Sequence, residues 1–174
     1  MNAFAIVLAG GLMLSAAAAP AQAPNDAQIA HIVVTANQVD IDAGKLAADW
    51  GTHADVKAFG TMMATDHLGV NGLANELAAK LKVTPQDNAT SQSLKSLGQK
   101  NVAHLKTLKG AAFDQAYIDN EVAYHQAVLD AVDKTLIPSA QNNELKALIV
   151  KVRPAFVAHL EHAKHIQASL AKTN

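Results

Sequence analysis

Residues 56–81 read VKAFGTMMATDHLGVNGLANELAAKL. Apolar residues recur in this stretch every three or four positions, a spacing that places them on one face of an α-helix. One polar pair, Asp66-His67, interrupts that face where the pattern calls for an apolar side chain. The stretch therefore predicts a long amphipathic helix that carries a polar group towards the interior. Its predicted apolar face comprises Val56, Phe59, Met63, Val70, Leu73, Leu77 and Leu81.

The same periodicity appears in three other segments of the chain. The four predicted helices span residues 26–50, 53–82, 111–136 and 141–170. Asp26 and Thr52 are the predicted N-caps of the first two, because their side-chain oxygens can accept from free backbone N–H groups. Pro138 is predicted to end the third helix, and Pro154 to kink the fourth. No segment alternates as a β-strand does.

Residues 83–110 link the second and third predicted helices. They open with turn chemistry at Thr84-Pro85 and Asp87-Asn88 and continue with weaker amphipathic character. We therefore predict an all-α fold, a four-helix bundle with a short helical connection between helices two and three. The pattern leaves open whether that connection stays at one end of the bundle or runs along it.

The beginning of the chain has a different character from the rest. Residues 4–14 form an apolar run that is followed by Ser15, four alanines and Pro20. This run is shorter than the ~20 residues of a membrane span, and cleavage after Ala21 or Ala23 suits signal peptidase. The absence of Lys and Arg before the run departs from the usual signal pattern. We predict a signal peptide over residues 1–23 and one domain over residues 24–174.

The composition excludes several classes of function. The chain has 14 basic and 15 acidic residues, a net charge of -1 and no basic block, which argues against nucleic-acid binding. It contains no cysteine, so disulfides, lipid-modified cysteine and thiolate ligands are all excluded. No apolar run after the signal is long enough to cross a bilayer. We expect a soluble, periplasmic or secreted protein with no membrane span after cleavage.

Each predicted helix carries one polar side chain on its apolar face. Burying a carboxylate and three imidazoles is costly unless a partner compensates them, and one metal ion could bind all four. Nitrogen and oxygen donors in this proportion suit Zn²⁺, Cu²⁺, Ni²⁺ or Fe²⁺. The four candidate ligands are Asp40, His67, His125 and His159.

Two further carboxylates lie next to these candidates. Glu121 precedes His125 by one helical turn and Asp66 precedes His67 directly, so each could ligate the metal or orient a ligand. The alternative is a metal-free polar network that fixes helix register, in which Asp40 pairs with a protonated histidine. His162 and His165 follow His159 at intervals of three, which places them near the edge of the face or in solvent.

Several short stretches resemble a known family. They are residues 44–47 (GKLA), 56–59 (VKAF), 63–67 (MATDH) and 113–117 (FDQAY), with Pro154, His159-Leu160 and Ala163 in the last helix. They resemble an exported bacterial ferritin-like family of unknown function, whose members are often labelled outer membrane proteins. The resemblance covers about residues 26–170. It implies a ferritin-like four-helix fold, a periplasmic location that includes association with the outer membrane, and a metal site at the shared histidines.

The chain also departs from that family and from di-iron ferritins. The acidic position of the first helix, usually Glu in the family, is Asp40 here, and its shorter reach weakens it as a ligand. Di-iron ferritins carry Glu-x-x-His on two helices, a motif absent from this chain, which argues against an iron-storing ferroxidase.

Three functional hypotheses follow. The first is a transition-metal-binding bundle in metal handling or the envelope stress response, with Zn, Cu or Fe as the ion. The second is a metal-free structural, interaction or chaperone-like bundle, and the third is an iron- or copper-dependent oxidoreductase. We favour a binding protein over an enzyme, because neither a Gly-rich phosphate loop nor a Ser-His-Asp arrangement is present. The sequence leaves open whether the protein forms a homo-oligomer and which protein partner it has.

Overall fold

The computed structural model describes residues 23–173, so the predicted signal peptide lies outside the described residues apart from Ala23. All regular structure in this range is helical, which confirms the all-α prediction. None of these helices combines the length and apolarity that crossing a membrane requires. The elements are α1 (Asp26–Trp50), α2 (Ala54–Leu81), α3 (Ala89–Leu105), α4 (Ala111–Ala131), a π-helical turn (Val132–Leu136), α5 (Ile137–Ser139) and α6 (Asn143–Thr173).

The connection between α2 and α4 runs the length of the bundle, which resolves the question that the sequence left open. It begins beside the start of α1, where Gln86 N–H donates to the Ala27 carbonyl at 2.9 Å. It ends near the other end of α1, because Leu105 is buried in one cluster with Ala43 and Ala47. A single helix, α3, makes this crossing along α1. As a consequence α2 and α4 run in the same direction, while α1 and α6 run in the opposite one.

Close backbone contact locks α1 against α2. A Cβ atom added at Gly44 would lie 2.7 Å from the Gly60 carbonyl oxygen, and one added at Gly60 would lie 2.6 Å from the Gly44 oxygen. Both distances are shorter than real Cβ contacts, so only glycine fits at this crossing. The two helices that supply Asp40 and His67 are therefore held at a fixed separation.

The N-caps differ from the prediction by one residue each. Asn25 caps α1, and its side chain accepts from Gln28 N–H at 2.9 Å in a capping box. Asp26 instead accepts from the backbone N–H groups of Gln141 and Asn142, both at 2.9 Å. The prediction of Asp26 as N-cap was wrong because a distant segment uses its carboxylate.

The start of α2 shows a similar difference. His53 is the N-cap, and its ring accepts from Asp55 N–H. Thr52, the predicted cap, donates through its backbone N–H and its hydroxyl to the Asp114 carboxylate of α4. The same carboxylate accepts from His53 N–H at 2.8 Å. A side chain from α4 therefore binds the N–H groups at the start of α2, and local sequence does not report that contact.

Pro138-Ser139 ends the third predicted helix as expected, and Pro154 lies inside the fourth. The chain stays helical from Ala111 to Ser139, because a π-helical turn over Val132–Leu136 precedes Pro138. In this turn Ile137 N–H donates to the Val132 carbonyl, five residues back instead of four. The turn therefore contains one extra residue just before Pro138, which has no N–H to donate. The last helix, α6, continues through Pro154.

The core consists of two apolar ends separated by a polar layer. One end contains Phe59, Phe113, Tyr117 and Ile166, and the other contains Ile29, Ile32, Val132 and Leu145. Leu73, predicted on the apolar face of α2, is 40% exposed, while Ala74 is buried in its place. The buried face of α2 shifts by one residue along the sequence, because a helical turn contains 3.6 residues and not a whole number. The polar layer lies between the two apolar ends.

Candidate metal centre

The polar layer contains the four side chains predicted to point inward. They meet in mid-bundle and are almost inaccessible to solvent, with exposures of 3% for Asp40, 3% for His67, 1% for His125 and 4% for His159. The ring centroids of the three histidines are 5.3–5.7 Å apart. One ring nitrogen of each lies within 4.8 Å of the chosen nitrogens of the other two. The helices thus place the three imidazoles at one level of the bundle.

One nitrogen of each ring is hydrogen-bonded to an oxygen. His67 Nδ1 lies 2.6 Å from Asn37 Oδ1, and His125 Nδ1 lies 3.1 Å from the Glu121 carbonyl oxygen. His159 Nε2 lies 3.0 Å from Asp66 Oδ2. An amide, carbonyl or carboxylate oxygen can only accept, so each of these ring nitrogens donates. These contacts assign the proton to Nδ1 of His67 and His125 and to Nε2 of His159.

The remaining ring nitrogens carry lone pairs in the interior. They are His67 Nε2, His125 Nε2 and His159 Nδ1, and none has a hydrogen-bond partner among the described residues. Metal-binding histidines commonly show this division, with one nitrogen donating to an oxygen and the other on the metal. The donor set therefore fits a metal ion bound by three neutral imidazoles.

Two buried carboxyl groups border the histidines. Asp40 Oδ2 lies 3.4 Å from His67 Nε2, and Glu121 Oε2 lies 3.4 Å from His125 Nδ1. Glu121 is completely buried, and within residues 23–173 neither of its carboxylate oxygens has a hydrogen-bond partner of normal geometry. Asp40, Glu121 and His125 each offer one ligand atom within 4.8 Å of the others. Oxygen donors are thus available on one side of the imidazole cluster.

A comparison with protein families identifies the chain. The model of a family described as a domain of unknown function, DUF4142, matches residues 12–166. The chain belongs to the DUF4142 family. Neither a curated protein nor a solved structure matches it significantly. The resemblance to a family of unknown function is confirmed, and the family description says nothing about export or a ferritin-like fold.

Asp66 lies at the surface of the DUF4142 chain, whereas the other predicted site residues are buried. Its side chain is 47% exposed and belongs to neither of the two groups of converging ligand atoms. Its carboxylate contacts the outward nitrogen of His159. Asp66 therefore orients a candidate ligand from the surface, the second of the two roles that its position allowed. His162 and His165 are exposed, as expected from their spacing.

Two contributors were missed in the sequence. Asn37 is 3% exposed and donates through Nδ2 to the Val33 carbonyl at 2.8 Å, which directs its Oδ1 towards His67. Tyr117 is fully buried, and its hydroxyl has no hydrogen-bond partner in the described part of the chain. The sequence does place Tyr117 on the same helix face as the site. Tyr117 precedes Glu121 by four residues, and Glu121 precedes His125 by four. Asn37 precedes Asp40 by three, which places both on one face.

Burial controls the ionisation of this layer. It lowers the pKa of His67 to about 3, with a further contribution from the charges of His125 and His159. It lowers the pKa of His125 to about 4, and that of His159 is lowered as well although Asp66 opposes the shift. The imidazoles are therefore neutral at neutral pH, which is the state that binds a metal.

The carboxyl groups shift in the opposite direction. Burial raises the pKa of Asp40 to about 8, although a contact with Glu121 opposes the change. Burial also raises the pKa of Glu121 well above its ordinary value, and the nearby Asp40 adds to the effect. The pKa of Tyr117 is raised by burial and then by these two carboxylates. The protein alone therefore favours protonated carboxyl groups, which a bound cation would deprotonate.

Proposed function

We propose that this protein is an exported four-helix bundle that binds one transition-metal ion through His67, His125 and His159. The observation that carries the proposal is the difference between the two nitrogens of each ring. One is hydrogen-bonded to an oxygen, and the other is buried with no hydrogen-bond partner among residues 23–173. A polar network built only for stability would satisfy those inner nitrogens, since an unpaired buried polar atom costs about 1–3 kcal/mol.

The surrounding residues support the same ion. Asp40 and Glu121 are placed to supply an oxygen donor and to balance the charge of a cation. Asn37, the Glu121 carbonyl and Asp66 hold the rings in orientation. Zn, Cu and Fe all accept nitrogen and oxygen donors of this kind, and as a Lewis acid or redox centre the ion would supply the chemistry. We assign the protein to metal handling or the envelope stress response.

Export and the ferritin-like label are parts of the same proposal. The apolar run at residues 4–14 and the small residues that follow support a signal peptide over residues 1–23 and a mature domain over residues 24–174. The same proposal places the mature protein in the periplasm or outside the cell. Its most specific version is a periplasmic protein associated with the outer membrane. The single long crossover between α2 and α4 supports the ferritin-like assignment, since ferritin-like bundles have one such connection.

A metal-free bundle is the second candidate function. It is favoured by the 3.4 Å contact between Asp40 and His67 and by the raised pKa of Asp40, because a protonated carboxyl and a neutral imidazole need no cation. In that case the polar layer would fix the alignment of the helices, and the protein would act through a protein partner. Metal content separates the two candidates.

The test is elemental analysis of the mature, untagged protein purified without chelators, together with melting curves before and after metal removal. We expect one Zn, Cu or Fe per chain and a lower melting temperature after stripping, since a ligand of the native state raises stability. Replacing His67 and His125 by Ala should abolish binding. The matched control replaces the exposed His104 and His165 by Ala and should bind as wild type. Full stoichiometry in the first variant would refute the assignment of the ligands.

A further inference from the structure

A narrow, partly open cavity leads away from the candidate metal centre. Residues of α1, α2, α4, α6 and the π-helical turn line it, and its volume is about 90 Å³. One end of the cavity is lined by Asp26 and Asn142, and the other by Asp40 and His67. Asp26 and Asp40 are fourteen positions apart on α1, so the cavity extends for about 20 Å along the bundle at about 1.5 Å per residue.

The wall of the cavity is apolar over almost all of its length. The lining residues between its ends include Val33, Val70, Leu77, Leu145 and Ile149, and the polar side chains lie at the two ends. Small side chains explain why space remains there. Four alanines face the cavity from α1 and α2, where a leucine at the same position would fill it; they are Ala30, Ala36, Ala74 and Ala78.

We propose that this cavity binds a small uncharged apolar molecule of diatomic size and leads it to the metal centre at His67. The inference rests on the proposed metal site for its final step, but the binding of an apolar molecule does not depend on it. Hydrated ions are excluded, because an apolar wall cannot replace their hydration shell. The volume is smaller than the 150 Å³ engineered cavity that holds benzene, which favours a molecule of a few atoms.

The position of the inner end identifies the chemical class. Asp40, His67 and Phe156 line that end, and the His67 ring stacks on Phe156 with centroids 5.4 Å apart. A molecule that arrives there meets Asp40, whose Oδ2 lies 3.4 Å from His67 Nε2. Uncharged diatomic molecules that bind transition metals, such as dioxygen and nitric oxide, suit both the apolar wall and a metal at its end.

The first experiment uses xenon as a probe of the metal-free mature protein, in crystals under xenon pressure. We expect a xenon atom between Val70, Ala74 and Ile149. Ala74→Leu should abolish xenon binding at this site, and Ala74→Val should reduce its occupancy. Both variants should keep the thermal stability of the wild type, because the added carbons fill empty space. Ala58→Leu makes the same change at an exposed position of α2 and should bind xenon as wild type. A wild-type protein without xenon in the cavity would overturn the proposal.

The second experiment follows the rate at which nitric oxide and dioxygen reach the Fe²⁺-loaded protein by absorbance. We expect Ala74→Leu to slow both at least tenfold relative to Ala58→Leu. Slowing of only one gas would identify which of the two the cavity admits. Equal rates in the two variants would refute the path to the metal. Failure to load Fe²⁺, Zn²⁺ and Cu²⁺ alike would refute the proposed metal site, while the xenon result would still decide the cavity. An acyl-chain lipid recovered from the native protein and displacing xenon would overturn the assigned ligand class.

Discussion

Replacing Asp40 by Asn should change how the metal-free protein responds to pH. Asp40 is 3% exposed, and burial raises its pKa from 3.8 to about 8. A carboxyl whose pKa is raised in the folded state contributes its full stability below pH 3.8. That contribution is lost as the pH rises towards 8, because the folded state binds a proton that the unfolded state releases. Asn keeps the size of the side chain and cannot ionise.

The magnitude follows from the width of this window. Each pH unit between the two pKa values costs about 1.4 kcal/mol per group, so the range from pH 5 to pH 7.5 costs about 3 kcal/mol. The wild-type protein should therefore lose about 3 kcal/mol more of its unfolding free energy over this range than Asp40→Asn does. The lowered pKa values of His67 and His125 act in the opposite sense below about pH 6.5. These histidines and Glu121 are present in both proteins, so their contributions cancel apart from the part of the Glu121 shift that Asp40 itself causes.

The assay is urea unfolding at pH 5 and pH 7.5 with a chelator present. Asp42→Asn makes the same chemical change at an exposed position two residues further along α1, and serves as the matched control. A metal titration at pH 7.5 completes the experiment, because Asp40→Asn should gain stability without metal and lose metal affinity. If Asp40→Asn and the wild type lose the same free energy between the two pH values, the burial of an ionisable Asp40 is refuted.

Three further substitutions test the geometry around the site. Asn37→Leu removes the acceptor of His67 Nδ1–H and should lower metal affinity about 10–100-fold, as measured by competition with a chromogenic chelator; an unchanged affinity would contradict the role of Asn37. Gly44→Ala should destabilise the protein by about 1–3 kcal/mol in urea, because the new Cβ meets the α2 backbone. Gly69→Ala has open space and should stabilise it by about 0.5–1 kcal/mol, so equal effects at the two glycines would contradict the close crossing. Asp114→Asn weakens the binding of the first N–H groups of α2 and should cost about 1–3 kcal/mol, and a melting temperature equal to wild type would argue against that contact.

Helical periodicity explains why the fold was predictable. The spacing of apolar residues identified the four long helices and placed Asp40, His67, His125 and His159 on their inner faces, where all four are found. The pattern reports only which face a residue occupies. It contains no information about contacts between distant segments. For this reason it predicted Asp26 as an N-cap, although the Asp26 carboxylate accepts from Gln141 N–H near the start of the last helix.

The details of the candidate site depend on tertiary structure. The sequence marks Glu121 and Asp66 equally as neighbours of histidines, but one is completely buried and the other is half-exposed. How the helices align determines which of these two carboxylates is buried. The role of Asn37 depends on its distance from His67 across two helices, and a lone Asn in an amphipathic helix does not predict it.

The order of the helices along the chain determines when the site can exist. Asp40 and His67 are made first, His125 follows more than fifty residues later, and His159 belongs to the last helix. During synthesis or passage through a narrow pore, the leading half of the protein contributes only one imidazole, that of His67, to the candidate site. Three imidazoles become available together only when residue 159 has emerged and α6 has docked. The proposed site is therefore complete only in the folded chain, and the compartment in which the protein completes its folding would choose the ion that binds there.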